Sequence, residues 1–382
     1  MIDSSHLPGA LRKADFSWIE RSDVARKTEK YRVIVVGIGM VGGMMVQVLR
    51  ERKFPAKEIK ILATRERVET VAGRRYPVKV ADAKEFEGFD LAFFAGTEGA
   101  SGASKLYGWE AVRRGCVVID NGKDYRMDPR VPLVVPEVNP EALKQHQGLI
   151  SNPNCSTIQM VVALAPIHRA ARIKRIVVST FQAVSGTGTK ARAQLEQQAR
   201  EWAAGEKVTW DPQVYVMPIA FNLFPQIAGL KDEFPGYYEE EIKMVKETRK
   251  ILGDRRIQVS ATCVRVPVLN AHSETLNVQT EKKLSAAQAR KILGNPKKAP
   301  GVILVDQPDL KQDKLKFLDP KRSRWPYPQM ADGRDEVFVG RIREDTSAKN
   351  ALDLFCVSDN IRKGAATNAV QIAEELVKRN LL

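Results

Sequence analysis

The chain has 382 residues, 43% of them apolar, with 61 Lys or Arg against 46 Asp or Glu and a formal charge of +15. That apolar share supplies a full core and excludes global disorder, and the length suggests about two or three domains. No apolar run reaches the length of a membrane span, and the four cysteines form no close pairs, which argues against a disulfide framework or a C-x-x-C metal site and for a reducing compartment.

Residues 1–30 read as an N-terminal extension. They hold Asp3, Asp15, Glu20, Asp23 and Glu29 without an apolar core, too acidic for a secretory or transit leader, so a cytoplasmic protein is expected. Residues 31–36 form a β-branched run that ends in Gly37-Ile38-Gly39-Met40-Val41-Gly42, and a helix is predicted from 43 to about 52. Strand, glycine turn and helix in that order match the dinucleotide fingerprint. Gly37, Gly39 and Gly42, with Met40 and Val41 between them, would let the backbone close on a pyrophosphate at the helix N-terminus. An ordinary tight turn is the plainer alternative. The next strand, over 58–63, ends at Thr64-Arg65-Glu66-Arg67. An NAD site usually has an acid at this strand tip, whereas Thr64 and Arg65 suit a 2′-phosphate, so NADP is the expected cofactor. Strands over 90–95 and 116–120, separated by a Gly/Ser-rich turn and a helix to about 114, extend the alternation. A doubly wound parallel sheet follows, with a Rossmann domain over 31–154.

The run 151–159, Ser-Asn-Pro-Asn-Cys-Ser-Thr-Ile-Gln, carries the most chemistry. Pro153 stops what precedes it, and the apolar stretch over 158–167 reads as a buried helix, so Cys155 is placed at a helix N-terminus. The dipole and unpaired N–H groups there favour a thiolate, the nucleophilic form of cysteine. The plain reading of a lone cysteine is a small buried hydrophobe, and Cys116, Cys263 and Cys356 in strand-like runs fit it. Beyond Cys155, strands over 175–184, 258–269, 274–280, 337–343 and 351–357 predict a mixed, mostly antiparallel sheet with helices on one face, an α+β domain over 155–359. The first of these strands carries Gln182, and the turn Ser185-Gly186-Thr187-Gly188 leads into a polar helix from about Thr189. Asp359 or Asn360 would cap a last helix whose Ala365, Ala369, Ile372, Ala373 and Leu376 make an apolar stripe. That helix, within 360–382, is expected to pack back on the first domain.

Four further residues stand out. His272 lies beside a strand among polar neighbours, where an imidazole can shuttle protons; a surface histidine is the alternative. Arg265 alternates with buried valines and needs an anionic partner, either a substrate carboxylate or a structural acid. Arg126 follows a strand and Lys243 opens a helix; each alone reads as a solvated charge. The basic, proline-rich stretch over 296–328 reads as loops. The net charge is taken as a solvated surface that also collects anionic substrates, with no nucleic-acid or membrane partner and no metal.

These residues, in this order, resemble the aspartate-β-semialdehyde dehydrogenase family. The matching runs are 151–159 (SNPNCSTIQ), 180–188 (TFQAVSGTG), 262–274 (TCVRVPVLNAHSE), 339–343 (VGRIR), 358–374 (SDNIRKGAATNAVQIAE) and 118–139 (VIDNGKDYRMDPRVPLVVPEVN). The resemblance implies NADPH-dependent reductive dephosphorylation of L-aspartyl-4-phosphate to the semialdehyde, in lysine, threonine and methionine biosynthesis, by a homodimer or homotetramer. It implies Cys155 as the acyl-accepting nucleophile, His272 as acid and base, and Gln182 orienting the acyl group. Arg265 would pair with the substrate carboxylate and Glu240 with its amino end. Arg126 and Lys243 would bind phosphate with support from Asn154. Ser185 and Gly186 would bind the cofactor, and Asn360 and Gln371 would approach its nicotinamide end. The chain departs from the family in having one residue, not two, between its first glycines. An acyl-CoA reductase on the same scaffold would not need Arg126 and Lys243 as a phosphate pair, and a non-catalytic paralogue would not need Cys155, Gln182, Arg265 and His272 together.

Overall fold

The computed structural model describes residues 30–95, 102–306 and 325–382. The N-terminal extension up to residue 29, most of the Gly/Ser-rich turn after Ala95 and the part of the basic stretch over 307–324 lie outside the described residues. The first sheet has seven strands: β1 (Tyr31–Val36), β2 (Ala56–Ala63), β3 (Arg67–Val71), β4 (Arg74–Val80), β5 (Leu91–Phe94), β6 (Val117–Asp120) and β7 (Leu149–Ser151). Their order is β3-β4-β2-β1-β5-β6-β7. Every neighbouring pair is parallel except the β3–β4 hairpin. The central strands are apolar without alternation because both faces are covered, as in doubly wound sheets. The β3–β4 hairpin was not expected. Among its side chains only Tyr76 and Val78 are buried, so charged residues hide the period. Its turn is Ala72-Gly73, both at positive φ, the geometry of a two-residue hairpin loop.

Helices α1 (Met40–Glu51) and α2 (Ala103–Arg113) follow β1 and β5. Gly37 has φ 91°. A Cβ on Gly42 would lie 1.9 Å from the Gly37 carbonyl oxygen, so α1 reaches the turn this closely only with glycine there. Helix α3 (Cys155–Ala171) carries the chain from β7 into the second sheet.

That sheet has six strands: β8 (Ile173–Gln182), β9 (Gln258–Arg265), β10 (His272–Thr280), β11 (Val302–Leu304), β12 (Val337–Glu344) and β13 (Ala351–Ser358), in the order β11-β12-β13-β10-β8-β9. It is mixed: β10 runs antiparallel to β8 and β13, and β12 antiparallel to β13, while β8–β9 and β11–β12 are parallel. The remaining helices are α4 (Thr189–Ala203), α5 (Glu239–Leu252), α6 (Ala286–Leu293), α7 (Pro328–Ala331) and α8 (Thr367–Lys378). Ile158 and Val161 of α3, Met244 of α5 and Leu293 of α6 share one core with Val178, Leu276 and Leu354 of the sheet. The last helix does return to the first domain: Ala369, Ile372, Ala373 and Leu376 share a core with Val33, Val35, Met45 and Leu49. Its entry is a single π turn, Arg362–Ala366. Of the two cap candidates, Asp359 takes the N–H groups of Ile361 and Arg362 at 2.8 and 2.9 Å. No described helix is long and apolar enough to cross a membrane.

Candidate active site

The nucleophile candidate sits where its sequence placed it. Cys155 is the first residue of α3, and Asn154 is the N-cap, its side-chain oxygen accepting the N–H groups of Ser156 and Thr157 at 3.1 Å each. The loop before it is pinned on both sides. Asn152 donates its main-chain N–H to Asp120 (2.7 Å) and its side-chain amide to Asn121 (2.5 Å), and it accepts from Asn368 (2.6 Å). The π turn packs directly against the cysteine, since a Cβ on Gly364 would come within 2.9 Å of the Cys155 Cβ.

Glu240 is the hub beside it. Its Oε1 accepts from the Asn154 amide at 2.8 Å and from the Gln182 amide at 3.1 Å, and Lys243 reaches Oε2 at 3.3 Å. Burial alone would raise its pKa, but Lys243, with Asn154, Gln182 and Arg265, brings it down to about 2. Arg265, at the end of β9, donates to the Ala183 carbonyl at 2.6 Å. The Ala183 N–H in turn donates to Nδ1 of His272 at 3.0 Å. His272 is completely buried, and its Nε2 has no hydrogen-bond partner. With Nδ1 accepting, the neutral ring carries its proton on Nε2. A Cβ at Gly186 would meet Nη1 of Arg265 at 2.9 Å and Nε2 of His272 at 3.1 Å, so the glycine keeps open the space these two groups face.

The phosphate candidates are less simple than isolated charges. Arg126 is buried and pairs with Glu247 at 3.0 Å, and it donates to the Asn121 carbonyl at 2.9 Å. Lys243 shares Glu239 with Lys123 and Lys231. On the nucleotide side, Thr64 and Arg65 stand exposed at the end of β2, while Arg67 turns away to Glu69 at 2.6 Å. The Ser185 hydroxyl donates to Asn270 (2.9 Å) and accepts from the Asn360 amide (3.0 Å), and the Asn360 oxygen accepts the Ala271 N–H at 3.0 Å. These contacts draw Ser185, Asn360 and the start of the His272 strand together.

Residues 32–146 match the model "Semialdehyde dehydrogenase, NAD binding domain", and residues 164–363 match "Semialdehyde dehydrogenase, dimerisation domain". The aspartate-semialdehyde dehydrogenase of Aquifex aeolicus is 48% identical over 359 residues, covering 92% of this chain and 99% of that one. The Bacillus subtilis protein of the same name is 41% identical, covering 92% and 98%. The chain belongs to the aspartate-semialdehyde dehydrogenase family. Among solved structures, aspartate semialdehyde dehydrogenase II of Vibrio cholerae in complex with ASA superposes with a TM-score of 0.81 at 39% identity, covering 91% of this chain and 98% of that one. The family makes this chain a nicotinamide-dependent oxidoreductase with a dimerisation domain.

One expectation for an aspartate-semialdehyde dehydrogenase site needs correction. The helix N-terminus was expected to favour a thiolate at Cys155. Burial, and after it the Glu240 carboxylate, push the thiol up to about 12, while Arg265, Arg126 and the helix-start N–H of Ser156 only partly oppose them. Gln371, expected to approach the nicotinamide end, hydrogen-bonds through both ends of its amide. It accepts from Lys363 at 2.7 Å and donates to Glu137 at 3.0 Å. Lys363 itself is fully buried and bonds Glu137 through both carboxylate oxygens, at 2.8 and 2.7 Å. His272 is held neutral, its pKa down to about 3, by burial first and by Arg265 second. Sequence reasoning passed over Glu247, Glu137 and Lys363. Their only sequence signal is a charge on an otherwise apolar helix face or in a family-like run. Among the described residues no group of three or more His, Cys, Asp or Glu could hold a metal ion.

Proposed function

We propose that this chain interconverts L-aspartyl-4-phosphate and L-aspartate-4-semialdehyde with NADP(H), through a thioester on Cys155. One observation carries the reading: the charges around the thiol match the substrate's. Arg126 and Lys243 suit the phosphate, Arg265 the carboxylate and Glu240 the ammonium group, with the nucleophile among them. ASA in the Vibrio cholerae relative supports the same assignment.

The chemistry then follows from the side chains. Cys155 Sγ attacks the acyl carbon, the bond to the phosphate oxygen breaks and phosphate leaves. Because Nδ1 of His272 is occupied by the Ala183 N–H, Nε2 serves both ends of the proton transfer. It gives its proton to the leaving phosphate and receives the one from the thiol. Gln182, anchored on Glu240, orients the acyl group. Bound NADPH supplies the hydride that reduces the thioester to a thiohemiacetal. The Nε2–H then stabilises its oxyanion, the C–S bond breaks to release the aldehyde and a thiolate, and a proton taken up from solvent and relayed by the same nitrogen restores the thiol and the neutral ring.

The cofactor fits the residues present. The cradle at Gly37, Gly39, Met40, Val41 and Gly42 would hold the pyrophosphate, as the Gly37–Gly42 contact supports. Thr64 and Arg65 would hold the 2′-phosphate, and Ser185, Gly186 and Asn360 the nicotinamide end. A homodimer is the proposed assembly. The dimerisation-domain match and the exposed Trp202, Met217, Phe221, Leu223 and Leu230 favour it, and the mass in solution tests it.

The deciding experiment follows nicotinamide absorbance with aspartate semialdehyde, inorganic phosphate and NADP or NAD. Phosphate-dependent reduction of NADP supports the reading. Equal rates with NAD would overturn the role given to Thr64 and Arg65, and reduction that ignores phosphate would overturn the acyl-phosphate step.

A further inference from the structure

We propose that Glu247 is a positioning residue that locks the phosphate side of the site to the backbone carrying the nucleophile; this deepens the function proposed above and rests on it. Glu247 is almost completely buried, and both its oxygens are engaged. Oε1 accepts from Nη1 of Arg126 at 3.0 Å, and Oε2 accepts the main-chain N–H of Asn154 at 2.7 Å. It lies two helical turns after Glu240 on α5, so the two carboxylates project from the same face. Glu240 takes the side chain of Asn154 and Glu247 takes its main chain. The residue before Cys155 is therefore held at two points by one helix.

The same helix also holds the Arg126 loop. Lys250, three residues after Glu247, donates to the carbonyls of Arg126, Asp128 and Val131 at 2.7, 2.9 and 2.8 Å. Helix α5 is thus a frame from which both the guanidinium and the thiol loop hang, and the Glu247 side chain touches both. Its charge works against an anion nearby. By Coulomb's law alone, removing a carboxylate beside a phosphate-binding arginine strengthens phosphate binding. If Glu247 acts by holding Arg126 in place, removing it weakens phosphate binding instead. The sign separates the two roles.

The test uses the full chain as wild type, Glu247→Gln and Glu247→Asp. The first variant removes the charge and nearly keeps the shape; the second keeps the charge and loses the reach. Cys155 alkylation by iodoacetamide is followed by mass spectrometry across a series of inorganic phosphate concentrations, without cofactor or turnover. Phosphate is expected to protect the wild-type thiol. The half-protecting concentration should rise about tenfold or more in both variants, the size expected for losing a charged hydrogen bond. In the coupled assay KM for phosphate should rise in parallel while KM for the semialdehyde stays within about twofold. Tighter or unchanged protection in either folded variant overturns the positioning role. Should Glu247→Gln fail to fold, Glu247→Asp decides alone. Absence of phosphate protection and of phosphate-dependent reduction in the wild type would instead overturn the proposed function.

Discussion

The two halves of the site meet their ligands by different means. The nucleotide half works through backbone: a glycine at positive φ, a helix N-terminus and a strand tip whose Thr64 and Arg65 stand in solvent. The catalytic half works through buried side chains that hold one another. Glu240 gathers Asn154, Gln182 and Lys243, and Arg265 is linked to His272 through the main-chain carbonyl and N–H of Ala183. A backbone cradle tolerates change in most side chains and fails only where a Cβ has no room. A buried polar network is sensitive at every member, because each lost partner leaves another group unsatisfied.

Four substitutions test that contrast. Cys155→Ala should lower turnover by about 10,000-fold or more while leaving NADP binding, measured by fluorescence titration, intact. A variant that turns over at the wild-type rate would remove the covalent mechanism. Arg265→Ala should raise KM for the semialdehyde by about 100-fold. It should also lower kcat, since Arg265 holds the carbonyl of the residue whose N–H fixes His272; an unchanged KM would cancel the carboxylate role. Gly42→Ala places a methyl against the Gly37 carbonyl and should cost about 1–3 kcal/mol in thermal unfolding, unlike Gly39→Ala, where nothing lies within 4 Å. Arg65→Ala should weaken NADP by about tenfold and leave NAD unchanged. Equal loss with both cofactors would place Arg65 elsewhere on the nucleotide.

The same contrast governs what could be read in advance. The cradle is local: strand, turn and helix follow one another within 21 residues, Tyr31–Glu51, so composition and period suffice. Cys155 was legible for the same reason, as Pro153 and Asn154 announce a helix start. The thiol's ionisation was not, because it depends on burial by the folded site and then on Glu240, which is distant in sequence. Glu247 lies 121 residues from Arg126 and 93 from Asn154, and no spacing rule reaches across such gaps. The same holds for the bond from the Gln371 amide to Glu137, 234 residues away. The β3–β4 hairpin was missed for a different reason: its exposed charges erase the alternation that marks a half-buried strand.

The return of α8 to the first domain has a consequence for biosynthesis. The strands of the first sheet leave the ribosome before the second sheet, yet part of the core they need is Ala369, Ile372, Ala373 and Leu376. Until those residues emerge, the early sheet keeps an uncovered apolar face, and buried Lys363 has not yet reached Glu137. Domains usually finish folding in the order of synthesis. Here the first domain has to wait for residues that follow the whole second sheet in the chain, and a nascent chain stalled before them would be a natural client for chaperones.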